Sequence, residues 1–211
     1  MNDNLKDKKI LFAPHEIGGQ MQLMVEEMRR RGLYATAATY TQEWFGHNSD
    51  ISLKLDQHGA ARKQLISFTF FLWAASNFDI IHFFWGESLY GTRLTPRLDL
   101  PILRRLNKKI FVHFRGLDVI DLAYFDYLRS RNLTDEVEEP PMSRDDQIRS
   151  LKQWRKYSDA MLVSEPDLFR VVPEAIMVQQ AIDLDYWRPS GGANGASDGV
   201  IRIAHAPSMR R

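Results

Sequence analysis

The segment Val112-His-Phe-Arg-Gly-Leu-Asp-Val119 sets a histidine, an arginine and an aspartate around one glycine, directly after an apolar run. His113 can accept or donate a proton. Arg115 can hold a phosphate or carboxylate bidentately, and Asp118 can orient either. The alternative is purely local: Asp118 caps the following helix while Gly116 turns the chain. On the functional reading, Arg115 faces an open cleft and no core packing depends on it.

Other candidates sit at comparable places. Gly18 and Gly19 follow a strand and precede a helix, where the backbone approaches an anion closely and free N–H groups point at it. No Lys-Ser/Thr follows and no full G-x-G-x-x-G is present, so this is neither a Walker loop nor a dinucleotide fingerprint. His15, His82, His113 and His205, four of the six histidines, fall at or near strand ends, as does Ser164. Together they favour a polar cleft, though any one can equally be a half-buried imidazole bonded to a carbonyl. A metal cluster is not indicated, because no His-x-x-x-His or paired carboxylate spacing accompanies them. Trp85-Gly-Glu87-Ser88 pairs an aromatic platform with polar tips, a composition suited to sugar, and Trp85 can also be a core hinge.

The elements that must carry these residues alternate between short apolar runs and helical patterns. Strands are predicted at 9–13, 34–40, 51–55, 78–84, 110–114, 160–163 and 175–178. Met21, Met24, Val25 and Met28 mark one face of a first helix, stopped at Gly32. Ala61, Leu65, Phe68, Leu72 and Ala75 mark the apolar face of a second. A short helix is expected at 101–107, and the stretch 118–156 reads as helical, broken by an acidic loop at 135–141. The run 78–84 is nearly continuous in apolar residues, as expected of a strand covered on both faces. This order predicts an α/β chain: a Rossmann-like parallel sheet with helices on both faces. Ligands of such sheets bind beyond the carboxyl ends of the strands.

Residues 190–199 hold four of the chain's twelve glycines and read as a flexible linker. Residues 200–211 then begin a fresh strand. The expected organisation is a domain at 1–189, the linker, and the first strand of a second domain, so that the chain is the front part of a two-domain protein.

Composition removes several classes. With 28 basic and 27 acidic residues the net charge is +1, which argues against a dedicated nucleic-acid binder. The absence of cysteine excludes disulfides, thiolate metal sites and a cysteine nucleophile. Met1–Lys9 is polar, unlike a signal peptide, and the apolar run 65–75 is too short for a span of about 20 residues. A cytoplasmic protein is expected. Arg93, Arg97, Arg104, Arg105, Lys108 and Lys109 form a local basic run; it is either a solvated face or a peripheral contact with anionic lipid at the inner membrane face, or with a phosphorylated acceptor.

Taken together, these segments resemble the N-terminal half of a GT-B glycosyltransferase of family 4 (group 1). The resemblance rests on the Gly-Gly turn after Ile10-Leu-Phe-Ala13, on Phe78-Asp-Ile-Ile-His82, on His113-Phe-Arg-Gly-Leu-Asp118 and on Ser158-Asp-Ala-Met-Leu-Val-Ser164. Ala181-Ile-Asp-Leu-Asp-Tyr-Trp-Arg-Pro189 resembles the stretch leading to that family's interdomain linker. Ile201-Arg-Ile-Ala-His-Ala-Pro-Ser208 resembles the first strand of its second lobe. The order and approximate spacing are shared over nearly the whole chain.

The resemblance implies a retaining transferase that moves a sugar from a nucleotide-sugar donor to a glycan or lipid-linked acceptor. It needs no cofactor and no metal for the chemistry. It implies His113, Arg115 and Asp118 as catalytic, Gly18 and Gly19 beside the donor diphosphate, and His15, His82, Trp85, Glu87 and Ser164 toward the acceptor. Where the family often has a histidine just before the glycine, this chain has Arg115, with His113 two residues earlier. Gln180-Ala181 replaces the family's common Asn-Gly. The donor lobe binds most of the nucleotide in such enzymes, so residues 1–211 alone are expected to be inactive and to bind nucleotide sugars weakly. A non-catalytic Rossmann-like binding module and a GT-B-related nucleotide-sugar epimerase are the competing readings.

Overall fold

The computed structural model describes residues 5–41, 49–116, 118–131 and 143–188. The chain divides into two compact units, Met1–Ala181 and Ile182–Arg211. In the second, only 182–188 are described: a turn in which Asp183 accepts the Asp185 and Tyr186 amides and Arg188 pairs with Asp185. The expected linker and orphan strand at 190–211, with His205, lie outside the described residues, as does the acidic loop at 135–141.

The first unit is built on seven described parallel strands: β1 (Lys9–Pro14), β2 (Tyr34–Thr39), β3 (Ile51–Ser52), β4 (Ile80–Phe84), β5 (Lys109–Phe114), β6 (Ala160–Val163) and β7 (Ile176–Met177). Their spatial order is β3-β2-β1-β4-β5-β6-β7, so the order reverses direction between β1 and β4. This is the α/β Rossmann-like sheet that the alternating pattern predicts. The helices are α1 (Gln20–Arg30), α2 (Ala60–Asn77), α3 (Asp99–Arg105), α4 (Leu122–Ser130) and α5 (Arg144–Tyr157). Among the described residues none is long and apolar enough to cross a membrane.

Alternation of side chains along each strand divides the core in two. One layer joins Ile10 and Phe12 of β1, Ala35 and Ala37 of β2 and Phe84 of β4 to Met21 and Val25 of α1. The other joins Leu11, Ile81, Phe83, Val112, Phe114 and Val163 to the buried faces of α2, α3 and α5. Helices therefore cover both faces, as continuous apolar strands require. The α1 stop is as expected, with Gly32 at φ +78°.

Three expectations need correction. The α2 stripe is on the wrong side except at Ala75: Leu65, Phe68 and Leu72 are 62%, 39% and 47% exposed, while Ala75 is buried with Phe70, Phe71 and Ala74. The segment Leu65-Ile-Ser-Phe-Thr-Phe-Phe-Leu-Trp73 is apolar nearly all round, so period alone does not choose a face. The strand expected at 51–55 ends at Ser52, because Lys54 adopts φ +48° and the chain tightens into a 3-10 turn at Leu55–Gln57. The helix expected from residue 118 starts at Leu122. Its cap is Asp121, whose Oδ1 accepts the Ala123 and Tyr124 amides at 3.1 Å each.

Candidate functional site

Register places the strand ends level with one another. Pro14 pairs with Phe84, Phe84 with His113, and Phe114 with Val163. The residues just beyond, namely His15, Trp85, Arg115 and Ser164, therefore form a row along the carboxyl edge of the sheet. The β1/β4 reversal lies within that row, where sheets of this kind bind ligands.

His15 and Glu87 meet across the reversal, with Nε2 2.7 Å from Oε2. That hydrogen bond holds the Glu87 carboxyl below its usual range, yet its side chain is 58% exposed. Beside it opens a depression of about 260 Å³ lined by Glu87, Ser88, Gly91, Thr92, Pro96 and Arg97. Trp85 is half-buried at φ +69°, and its N–H donates to the His113 carbonyl. Asp99, fully buried, accepts the Leu89 and Tyr90 amides and so pins the loop that follows.

Farther along the row, Ser164 donates to the Phe114 carbonyl at 3.3 Å, and its Oγ lies 3.4 Å from His113 Nε2. Burial, then the nearby Arg115 charge, lowers the His113 pKa to about 4. The imidazole is neutral at physiological pH.

Asp118 does not touch the His113 or Arg115 side chains. Its buried carboxylate accepts the amides of Gly86 at 2.8 Å, Arg115 at 3.0 Å and Gly116 at 2.9 Å. It thereby ties the turn after β4 to the turn after β5, and is a positioning residue. Gly86 allows this close approach: a Cβ there would meet the Phe114 ring at 3.3 Å.

Arg115 is 9% exposed rather than open to the cleft as expected. Its guanidinium lies over the Phe84 ring, 5.4 Å from the centroid. Burial lowers its pKa, opposed by Asp118, Glu16 and Glu165 nearby. Among the described residues, no carboxylate comes within ion-pair distance and no hydrogen-bond acceptor engages the guanidinium.

Gly18 and Gly19 have φ +59° and +76°, the left-handed turn the pair was expected to make. The first turn of α1 is not open, however. Glu16, buried at its side, accepts the Met21 N–H through Oε1 at 3.0 Å and the Gln22 N–H through Oε2 at 2.8 Å. The expected free amides there are already bonded to the chain's own carboxylate. Gln20 exchanges two hydrogen bonds with the Ala181 backbone, which brings the 178–181 segment to this helix end.

His82 departs most from expectation. It sits inside the sheet, stacked on Phe12 at 4.6 Å and close to Phe84, Phe111 and His113. Burial, followed by the charges of His113 and Arg115, holds its pKa near 3. The unfolded chain takes up this proton near the ordinary value of 6.5, and the folded chain refuses it until about 3. His82 therefore costs stability as pH falls through that window. Asp99 and Asp118, raised to about 6 by burial, act oppositely between 3.8 and about 6, because the folded state keeps protons that the unfolded state releases. Replacing His82 with phenylalanine, among rings already, should reduce the stability lost between about pH 7 and pH 4 by roughly 2–3 kcal/mol. Urea unfolding across that range is the measurement; an unchanged pH slope would contradict the buried neutral imidazole.

Four residues of the basic run are engaged in the fold. Arg97 donates to the Gly86 carbonyl, Lys108 to the Phe78 carbonyl, and Arg104 and Lys109 pair with Asp159. No group of three or more potential metal ligands exists among the described residues. Glu16 and Asp99 carry no mark in the sequence reading, and Arg97 is marked there only as a member of the basic run. Only Glu16 carries a usable signal, an acidic residue ahead of a helix start. Neither the models of known protein families nor the curated protein sequences match this chain.

Proposed function

We propose that this chain is the acceptor-side half of a retaining glycosyltransferase, moving a sugar from a nucleotide-sugar donor to a glycan or lipid-linked acceptor. The observation that carries the reading is Arg115, whose guanidinium has no ion-pair or hydrogen-bond partner among the described residues, at the edge where such sheets bind ligands. A cation left this way has a natural counterpart in a diphosphate.

Breaking the bond from sugar to diphosphate builds negative charge on the leaving oxygen. A guanidinium already in place there stabilises that charge without reorganising at the moment of reaction. His113, expected as catalytic, is fully buried one position inside the strand end, so the reading gives it no contact with the ligand. The Trp85 turn, exposed Glu87 and the depression beyond it supply the polar and aromatic surface that a carbohydrate acceptor takes.

Transfer from a panel of radiolabelled nucleotide sugars to oligosaccharide and lipid-linked acceptors, with the chain in its natural context, tests this. The expected result is transfer with retained anomeric configuration. Ligand binding at this edge without transfer from any donor would favour the binding-module reading.

A further inference from the structure

The depression beside Glu87 adjoins another. Pro96 and Arg97, which wall it, also wall a second depression of about 320 Å³, lined further by Asp146, Arg149, Lys152 and Gln153. The charges around the two are not balanced. Each carboxylate already has a partner: Glu87 meets His15 at 2.7 Å, and Asp146 pairs with Arg149 at 2.6 Å. Arg97 and Lys152 remain, and among the described residues neither has a carboxylate within ion-pair distance. Glu87 and Asp99 act on Arg97 only from farther away. Arg97 is also held in place. Its guanidinium donates to the Gly86 carbonyl at 2.9 Å, lies 3.4 Å from Gln153 Oε1, and stands 5.8 Å from the Trp154 ring centroid. Gln153 in turn donates to the Pro96 carbonyl at 3.2 Å, tying α5 to the segment between the depressions. A cation fixed in this way loses little freedom on meeting an anion. Lys152, exposed on α5, has no hydrogen bond or ion pair among the described residues.

We propose that the acceptor is an acidic glycan: one sugar sits in the depression beside Glu87, and an anionic substituent on its neighbour pairs with Arg97 and Lys152 in the second. The inference rests on the acceptor role proposed for the first depression and adds the charge class of the acceptor. The first depression offers the Ser88 and Thr92 hydroxyls beside a carboxylate bonded to His15, which suits a sugar ring. The second offers two cations without ionic partners and the Gln153 amide, which suits an anion. A neutral glycan leaves both cations without a counterpart, whereas an acidic one gains a charge-assisted contact at each. The difference between those two affinities is what makes the groove selective. An acidic peptide matches the cations but leaves the hydroxyl-lined first depression without its sugar. The substituent is a carboxylate or a phosphate, since both present the oxygens that a guanidinium and an ammonium bind.

The test is direct binding to the full chain, measured by calorimetry at low ionic strength, with no donor present. The probes are tetragalacturonate, a glucan tetrasaccharide bearing a phosphate, the neutral glucan tetrasaccharide, and a tetraglutamate peptide. At least one acidic tetrasaccharide is expected to bind at least about tenfold more tightly than the neutral one, and the tighter of the two names the substituent. Lys152→Glu should remove that preference, and Lys152→Gln should weaken acidic binding about threefold; both are surface changes that leave the fold intact. Arg62→Glu, an equal change of net charge at an exposed position of α2, should leave the affinities as they are. Equal affinity for acidic and neutral sugars, binding by none of them, or no response to Lys152→Glu would overturn the proposal, and the transfer assay would then judge the transferase reading alone. Tetraglutamate binding as tightly as the acidic sugars would mark a general polyanion patch and overturn it as well. If the acidic sugars bind as expected but accept no sugar from any donor, the glycan site stands and the transferase reading fails.

Discussion

Replacing Trp154 with alanine is expected to remove about 3–5 kcal/mol of stability. The indole is fully buried, packs on Phe83 at 5.1 Å between centroids, and has the Arg97 guanidinium 5.8 Å from its ring. Its Nε1 donates to the Gly86 carbonyl at 3.3 Å, where Arg97 also donates at 2.9 Å. Truncation would open a large cavity between α5 and β4, and would take one of two donors from the turn that carries Trp85 and Glu87. Against a typical total of about 5–15 kcal/mol, that is a major fraction. Chemical unfolding reads it directly, with Trp154→Phe, which keeps a ring against Phe83, expected to recover most of the loss. A cost below about 1 kcal/mol would mean that α5 does not hold the β4 turn as described.

Much of this fold is legible in the sequence because buried parallel strands leave an unmistakable mark. Phe78–Phe84 and Ile110–Phe114 are almost unbroken apolar runs; the first becomes a strand from Ile80 onward, the second throughout, and both have covered faces. The same property hides what lies within the strand. A histidine in such a run looks alike whether it reaches the edge or stays inside, and both His82 and His113 are buried in their strands. In α2 the difficulty is reversed, since too many apolar residues leave the buried face undefined.

The row at the sheet edge could be anticipated from the general behaviour of open α/β sheets, and the structure aligns His15, Trp85, Arg115 and Ser164 along it. What the residues do there depends on contacts between distant segments. Asp118 serves the Gly86 amide 32 positions away. Glu16 is an ordinary loop carboxylate in the sequence and becomes the occupant of a helix start only when the chain folds back on itself. The burial of Arg115, too, follows from the placement of Phe84 on another strand.

Arg115 tests the account most directly. The side chain contributes a ring contact with Phe84, worth about 0.5–2 kcal/mol, and has no ion pair or hydrogen bond among the described residues. Arg115→Ala should therefore lower the melting temperature only slightly and leave the protein fully folded. Binding should respond very differently. Losing a buried, charge-assisted partner of a phosphate costs about 2–5 kcal/mol, or at least about thirtyfold in affinity. The decisive measurement is pyrophosphate titration of the wild type and Arg115→Ala by calorimetry, with thermal unfolding of both. Weak millimolar binding by the wild type that vanishes in a fully folded variant is the predicted result; equal binding by the two proteins, or a variant that simply unfolds, would contradict an anion site at this edge.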